Sequence, residues 1–364
     1  MRILLTGATG FLGQELYTHL KASNHEVVGL SRHGPDRQAD ILEPNLGYKR
    51  SPHLDMVIHS AAFLSFSEKD QKVLHSVNSE GTLNVCNFCL ENRIPRLVYI
   101  STAYVCGDFK GTWREDHFSE GQHFKNPYES SKFWGESYVR EFARGFAGFH
   151  PPIKVTIFRP GIIVGRSTDG KASTFGGFYK PVEAIARVMW LMEKKLRLPP
   201  REVAERWLHL PGLRVPLALK GDPDSTLNLV PVDWVAQKVV DLLGREGTFH
   251  LTNPHPLTNS TIISGINEAL GISGPHFDSH ARLLQPHDRL WARMTKDFFP
   301  YMQYEPTFQS TVNRSLSLTR INRGFIIKTV GYWRGQGGNF GKRNNPPDSS
   351  GRASPALEYG NQVD

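Results

Sequence analysis

Cysteine is scarce in this chain, three among 364 residues, which excludes a fold held by a disulfide framework and makes a reducing cytoplasm the expected location. Long apolar runs are missing too. The best candidate, Ala184 to Met192, is far shorter than the roughly 18 residues of a membrane helix and carries Arg187, so no membrane span is expected. The opening stretch MRILLTGATG has neither the basic start nor the cleavage site of a secretory leader, and none is expected. The fifteen histidines are scattered, and Cys86-x-x-Cys89 lies in a helical pattern without a second Cys or His pair at ligand spacing. Packed helix thiols and no metal are the expectation. Lys342 and Arg343 are too few to make a nucleic-acid patch, so no nucleic-acid partner is expected either.

What is present is core material. Hydrophobic residues make up 39% of the chain and charged residues 21%, enough to build about two domains, or one α/β domain with a cap. Lysine and arginine outnumber aspartate and glutamate by 43 to 35, a net charge of +8 that favours anionic ligands without choosing among them.

The first thirty residues read as a βαβ unit: Arg2 to Thr6, a glycine cluster, a helical pattern, then Glu26 to Leu30. Short apolar runs follow at Met56–His59, Leu97–Ser101 and Val155–Arg159, separated by helical patterns at Val73–Glu91 and Tyr128–Ala147. Strands alternating with helices predict an α/β fold, a Rossmann-type doubly wound parallel sheet with a smaller C-terminal substrate-binding region. The expected division is a nucleotide-binding domain over 1–167 completed by 226–253, a substrate region over 168–225 and 254–333, and a disordered tail over 334–364. Within it, Val182–Leu196 reads as an amphipathic helix and Pro199–Pro216 as a proline-rich stretch. Leu227–Val232 and Thr248–Thr252 read as strands returning to the sheet, with Asp233 capping the helix Trp234–Leu243.

Gly7, Gly10 and Gly13, with Thr9, Phe11 and Leu12 between them, stand between a strand and a helix. Missing side chains there permit a tight turn and close approach to a pyrophosphate, and the helix N-terminus supplies free N–H groups. The second strand ends in Ser31-Arg32-His33, where an NAD site would place an acidic residue for the ribose. Arg32 suits a 2′-phosphate, so NADP(H) is favoured over NAD(H), with Arg37 as the alternative phosphate partner. Asp40 and Ile41 follow at a distance suited to the adenine edge.

Asn78, Ser101-Thr102, Tyr128 and Lys132 make a coherent catalytic set. The four-residue interval puts Tyr128 and Lys132 on one helix face, where an ammonium would ease ionisation of a phenol whose ordinary pKa is about 10. Tyr128 would then exchange a proton with a carbonyl or alcohol held by the Thr102 hydroxyl while a nicotinamide exchanges a hydride with its carbon.

In that order these motifs resemble the extended short-chain dehydrogenase/reductase family over roughly residues 1 to 250. The resemblance rests on the glycine turn, His59-Ser60-Ala61-Ala62, Asn78-x-x-Gly81-Thr82, Ser101-Thr102-Ala103-Tyr104-Val105-Cys106-Gly107, Asn126-Pro127-Tyr128-x-x-x-Lys132 and Arg159-Pro160-Gly161. It implies Tyr128 as acid/base, Lys132 as its partner and ribose ligand, Thr102 as the oxyanion hydroxyl and Asn78 as support for a relay water. It also implies cofactor contacts from Ser60, Ala61, Ala62, Pro160 and Ile163. The segments Arg159–Gly165, Ser167–Gly170, Phe175–Tyr179 and Val230–Ala236 are similar to the fatty acyl-CoA reductase and thioester reductase branch, which implies reduction of an acyl thioester on CoA or an acyl carrier protein. A homo-oligomer is compatible with this. Two alternatives stand beside it: a nucleotide-sugar epimerase or dehydratase, and a nucleotide-sensing module without turnover. The complete Thr102, Tyr128, Lys132 set argues against a sensor, and Ala103-Tyr104 stands where a dehydratase would carry an acidic pair. Phe175 to Met192, with the stripe Val182, Ile185, Val188, Met189 and Met192, is the expected wall of an acyl pocket or plain core packing.

Overall fold

The computed structural model describes residues 1–49, 53–145, 153–195, 217–282, 285–312 and 321–337. Leu196, the stretch Pro199–Pro216 and the tail beyond 337 lie outside the described residues, so the expectations placed on them stay with the sequence.

Among the described residues the first twelve strands in chain order are β1 (Arg2–Thr6), β2 (Glu26–Ser31), β3 (Arg37–Gln38), β4 (Met56–His59), β5 (Arg96–Ile100), β6 (Thr112–Trp113), β7 (Lys154–Pro160), β8 (Ile162–Val164), β9 (Leu217–Lys220), β10 (Thr226–Leu227), β11 (Leu229–Pro231) and β12 (Gly247–Leu251). Seven of them form one parallel sheet in the order β12-β7-β5-β4-β1-β2-β3. Strands buried on both faces explain their unbroken apolar runs: in β1, Ile3 and Leu5 face one core while Leu4 faces the other. The first core takes Leu12, Leu16 and Leu20 of α1 (Phe11–Ala22) and Val235 and Val239 of the helix Val232–Asp241. The second takes Val85 and Phe88 of α3 (Gly81–Glu91) and Val139 and Phe142 of α4 (Pro127–Gly145).

The strand order reverses between β1 and β4. A crevice therefore opens beyond their C-terminal ends, where Gly7 leaves one strand and Ser60 the other.

Three details differ from the sequence reading. The helix expected over Val73–Glu91 is α2 (Gln71–Leu74) and α3 joined by a π-helical turn at His75–Glu80, which carries Asn78. Of the two strands expected to return to the sheet, only β12 pairs there, on β7; β11 pairs with β8 outside it. Asp233 does not cap its helix, whose first turn already includes it. Its carboxylate instead accepts from Ser167 N at 2.9 Å and Ser167 Oγ at 2.6 Å, fastening the loop after β8. Cys86 and Cys89 are buried on α3, and burial pushes the Cys86 thiol up to about 12. Among the described residues no helix is long and apolar enough to cross a membrane.

Candidate active site

The glycine turn is built by exclusion. Gly7 has φ +71°, and a Cβ there would come within 2.7 Å of the Ala61 backbone. A Cβ on Gly13 would meet Gly7 O at 2.0 Å, so α1 seats directly on the turn. Gly10 is the helix N-cap and offers no side chain to its free N–H groups, leaving them for an anion. Thr9 Oγ1 donates to Ser31 Oγ at 3.0 Å, tying the turn to the end of β2.

Beyond β2, Arg32 is exposed and free of partners among the described residues. Arg37 is committed: its Nη2 donates to Gly47 O and its guanidinium lies 3.8 Å from the Tyr48 ring centroid. Ile41 is buried in the second core, and Asp40 Oδ1 accepts from Leu42 N at 3.0 Å.

Tyr128 and Lys132 open α4 on one face, as their spacing requires, and Thr102 follows β5. All three line a cavity of about 440 Å³. The electrostatics correct one expectation. Burial pushes the Tyr128 phenol up to about 12 and the adjacent Glu129 carboxylate adds to the rise. Lys132 does not offset this, because its Nζ donates to Ile100 O at 2.8 Å and lies 4.3 Å from the Tyr99 ring centroid. Burial brings Lys132 itself down to about 7, against the opposing pull of Glu136. Burial thus favours the uncharged form of both groups.

Asn78 does not line the cavity. Its amide donates to Phe63 O and Ser131 Oγ, each at 2.9 Å, and accepts from Phe63 N at 2.7 Å. It clamps the loop after β4 onto α4.

Sequence reasoning missed Glu136, one turn beyond Lys132. It is fully buried and accepts from Ser101 Oγ at 2.6 Å, from Arg159 Nη2 at 2.6 Å and Nε at 3.0 Å, and from Arg140 Nε at 2.8 Å. Burial alone would raise this carboxyl, but Arg159 and Arg140 outweigh it and hold it at about 2. The signal was available: the Tyr128 to Lys132 interval, continued, reaches Glu136 and Arg140 on the same face.

Beyond these residues the cavity takes Gly176, Gly177, Phe178 and Tyr179 from the segment Phe175–Tyr179. Of the sequence candidates, Gly10, Phe11, Leu12, Ser60, Ala62, Thr102, Tyr128, Lys132, Pro160 and Ile163 line it, whereas Gly7, Thr9, Gly13, Arg32, Asp40, Ile41, Ala61 and Asn78 do not. In α5 (Tyr179–Lys195), Ile185 of the expected stripe reaches the cavity, while Val182 and Val188 are plain core. The opposite wall comes from the C-terminal segments, with Ile262, Ile263, Ile266, Phe277, Trp291 and Met302. Two buried acid–phenol pairs tie the C-terminal segments to α4 and to the turn after β5: Tyr301 OH donates to Glu129 Oε1 at 2.6 Å, and Tyr104 OH donates to Glu305.

The model of the NAD dependent epimerase/dehydratase family matches residues 3–179. Curated relatives include a polyketide synthase-nonribosomal peptide synthetase of Aspergillus flavipes, 26% identical over 66% of this chain, and an NRPS-like oxidoreductase of Fusarium equiseti, 25% identical over 51%. A 2-alkyl-3-oxoalkanoate reductase of Stenotrophomonas maltophilia is 32% identical over 38% of the chain. The chain spans 6%, 20% and 46% of these relatives' lengths. Among solved structures, the terminal R domain from the myxalamid PKS-NRPS biosynthetic pathway superposes with a TM-score of 0.68 at 21% identity, covering 92% of this chain and 91% of that one. A UDP-glucose 4-epimerase of Thermotoga maritima gives 0.62 at 16%, covering 92% and 99%. The fold is thus common to both kinds of protein, and over residues 3–179 this chain is similar to the NAD dependent epimerase/dehydratase family.

Proposed function

We propose that the protein is an NADP(H)-dependent oxidoreductase that reduces an apolar acyl thioester, carried on CoA or a carrier protein, or the aldehyde derived from it. Residues 1–167 with 226–253 are assigned to the nucleotide, and 168–225 with 254–333 to the substrate. The nucleotide fits what the chain offers: a turn that any Cβ at Gly7 or Gly13 would fill, uncapped N–H groups at the start of α1, and an unpaired Arg32 for a 2′-phosphate. Gly10, Phe11, Leu12, Ser60, Ala62, Pro160 and Ile163 would line it, and the bound nicotinamide would supply the hydride.

In this reading Thr102 Oγ1 holds the substrate carbonyl oxygen and the Tyr128 O–H delivers the proton to it. Lys132, its ammonium held by Ile100 O, is assigned to the ribose of the bound nucleotide. Asn78 keeps the loop after β4 against α4, so that Ser60 and Ala62 stay in line with Tyr128.

The observation that carries the substrate class is the cavity lining. Its described side chains include one charged group, Lys132, and the C-terminal wall is aliphatic and aromatic apart from Asn259, whose amide is bonded to Asp222 O and Met302 O. A sugar nucleotide needs cations for its diphosphate and several polar groups for its hydroxyls, whereas an acyl chain gains roughly 0.8 kcal/mol per buried methylene. The test follows NADPH absorbance with acyl-CoAs of increasing length, the corresponding aldehydes, UDP-glucose and GDP-mannose, with products identified by mass spectrometry. Activity rising with chain length is expected; turnover of a nucleotide sugar with a flat acyl series would overturn the reading.

A further inference from the structure

In the loop after β4, every second residue faces the cavity: Ser60, Ala62, Leu64 and Phe66 line it, and Ala61, Phe63 and Ser65 do not. That is the period of an extended chain. The residues turned away fasten the loop, since Ala61 N donates to Thr6 Oγ1 at 3.3 Å, the backbone N–H and carbonyl of Phe63 are both bonded to the Asn78 amide, and Ser65 Oγ donates to Asp70 Oδ2 at 2.5 Å. The residues turned inward are two small side chains followed by two large ones.

The two large ones differ in place. Leu64 is 48% exposed, at the rim, against the backbone at Gly176 and Gly177. Phe66 reaches the chemistry: its ring centroid lies 6.0 Å from that of Tyr128, 4.9 Å from that of Phe298 and 5.5 Å from that of Tyr301, on which it stacks. All three of those rings line the cavity as well, so the Phe66 ring bridges the Tyr128 phenol and the C-terminal wall inside it. With three rings against it and its own loop fastened one and three residues earlier, it has little freedom to turn aside.

A carbonyl oxygen that takes the Tyr128 proton lies within hydrogen-bond reach of that phenol, and carbon 2 of the acyl chain is one bond beyond the carbonyl carbon. We propose that Phe66 is a specificity-determining residue, whose ring occupies the space that a branch at carbon 2 would need, so that the protein takes thioesters unbranched at that carbon. The proposal rests on the reductase reading and narrows its substrate class.

The test compares octanoyl-CoA with its 2,2-dimethyl and 7-methyl derivatives; the paired methyls put one on the Phe66 side whichever face the chain presents. In wild type the 2,2-dimethyl thioester should fall at least about tenfold below octanoyl-CoA in kcat/KM, with no comparable penalty for the 7-methyl thioester. Phe66→Ala should raise kcat/KM for the 2,2-dimethyl thioester about tenfold without raising that for the 7-methyl thioester, while octanoyl-CoA itself loses a ring contact and reacts less well. Phe66→Leu should move the same way by less, and it serves where the alanine variant folds poorly. The intrinsic slowness of a hindered thioester is common to all three proteins and cancels between them. Titrations with NADP+ in place of NADPH, where no hydride is available, should give the same order in Kd. Equal binding of octanoyl-CoA and its 2,2-dimethyl derivative to wild type would overturn the proposal, as would a gain shared by both branched thioesters in Phe66→Ala, or a gain by neither. The expected order of Kd without turnover of any thioester would uphold Phe66 and count against the reductase reading, and no binding of any thioester would overturn both.

Discussion

The two walls of the cavity were assembled by different rules. The sheet-side wall, from Gly10 to Leu12, Ser60, Thr102, Tyr128 and Lys132, puts particular atoms at particular places. The C-terminal wall, from Ile262 to Met302, fills a volume. Chemistry that moves a proton tolerates few residue types at each position, so it leaves motifs at fixed offsets. Apolar packing tolerates many, so it leaves only composition. The comparison predicts that changes on the first wall act through rate and charge, and changes on the second through small increments of volume.

The largest effect is expected at Tyr128. Tyr128→Phe removes only the transferable proton, so single-turnover hydride transfer should fall by about two to four orders of magnitude while NADPH titration is unchanged. Near-normal turnover would move the acid elsewhere and dissolve the contrast between the walls.

Behind that wall, Glu136→Gln should cost about 3–5 kcal/mol in denaturant unfolding, because Arg159 and Arg140 would keep buried charge with no carboxylate to meet it. The sign with pH follows. A carboxyl held at about 2 when folded contributes stability that is complete above its ordinary value near 4.5 and drains away as pH falls through that value toward 2. Wild type should therefore lose stability over that interval, and Glu136→Gln should lose less.

These two residues also show what was legible in the sequence. The sheet, the glycine turn and the Tyr128 to Lys132 face were readable because strand burial, backbone exclusion and helix periodicity all write themselves into residue order. The pairing of Tyr301 with Glu129, across 172 positions, was not: each partner is an ordinary residue until the fold brings them together. The behaviour of Lys132 was misread for the same reason, since its bond to Ile100 O depends on where β5 ends.

Arg32, exposed beyond β2 and outside the cavity, separates nucleotide choice from chemistry. Arg32→Asp should weaken NADPH roughly 10- to 100-fold and leave NADH nearly unaffected, because only the 2′-phosphate loses a cationic partner and meets a like charge. Titration of both cofactors reads it, and equal wild-type affinities would remove the assignment to NADP(H).

A milder test sets pH against the sheet-side wall. Lys132, at about 7, loses its charge as pH rises through that value, while Tyr128, at about 12, keeps its proton. For reduction, kcat/KM for NADPH should fall by about tenfold per unit above pH 7. Lys132→Arg, whose charge persists, should flatten that limb whatever its absolute rate.

The smallest effect belongs to the C-terminal wall. Ile263 is buried on the helix Asn259–Leu270 and lines the cavity, so Ile263→Val deletes one methylene from the surface that meets the chain. Unfolding should cost about 0.5–1.5 kcal/mol, and acyl-CoAs that fill the pocket should lose about fourfold in kcat/KM, the equivalent of one methylene. Chains too short to reach Ile263 should react as in wild type, and the best length should move up by roughly one carbon. A loss shared equally by short and long chains would mean that Ile263 acts on the sheet-side wall rather than on the volume, and the two walls would then be one coupled surface instead of two.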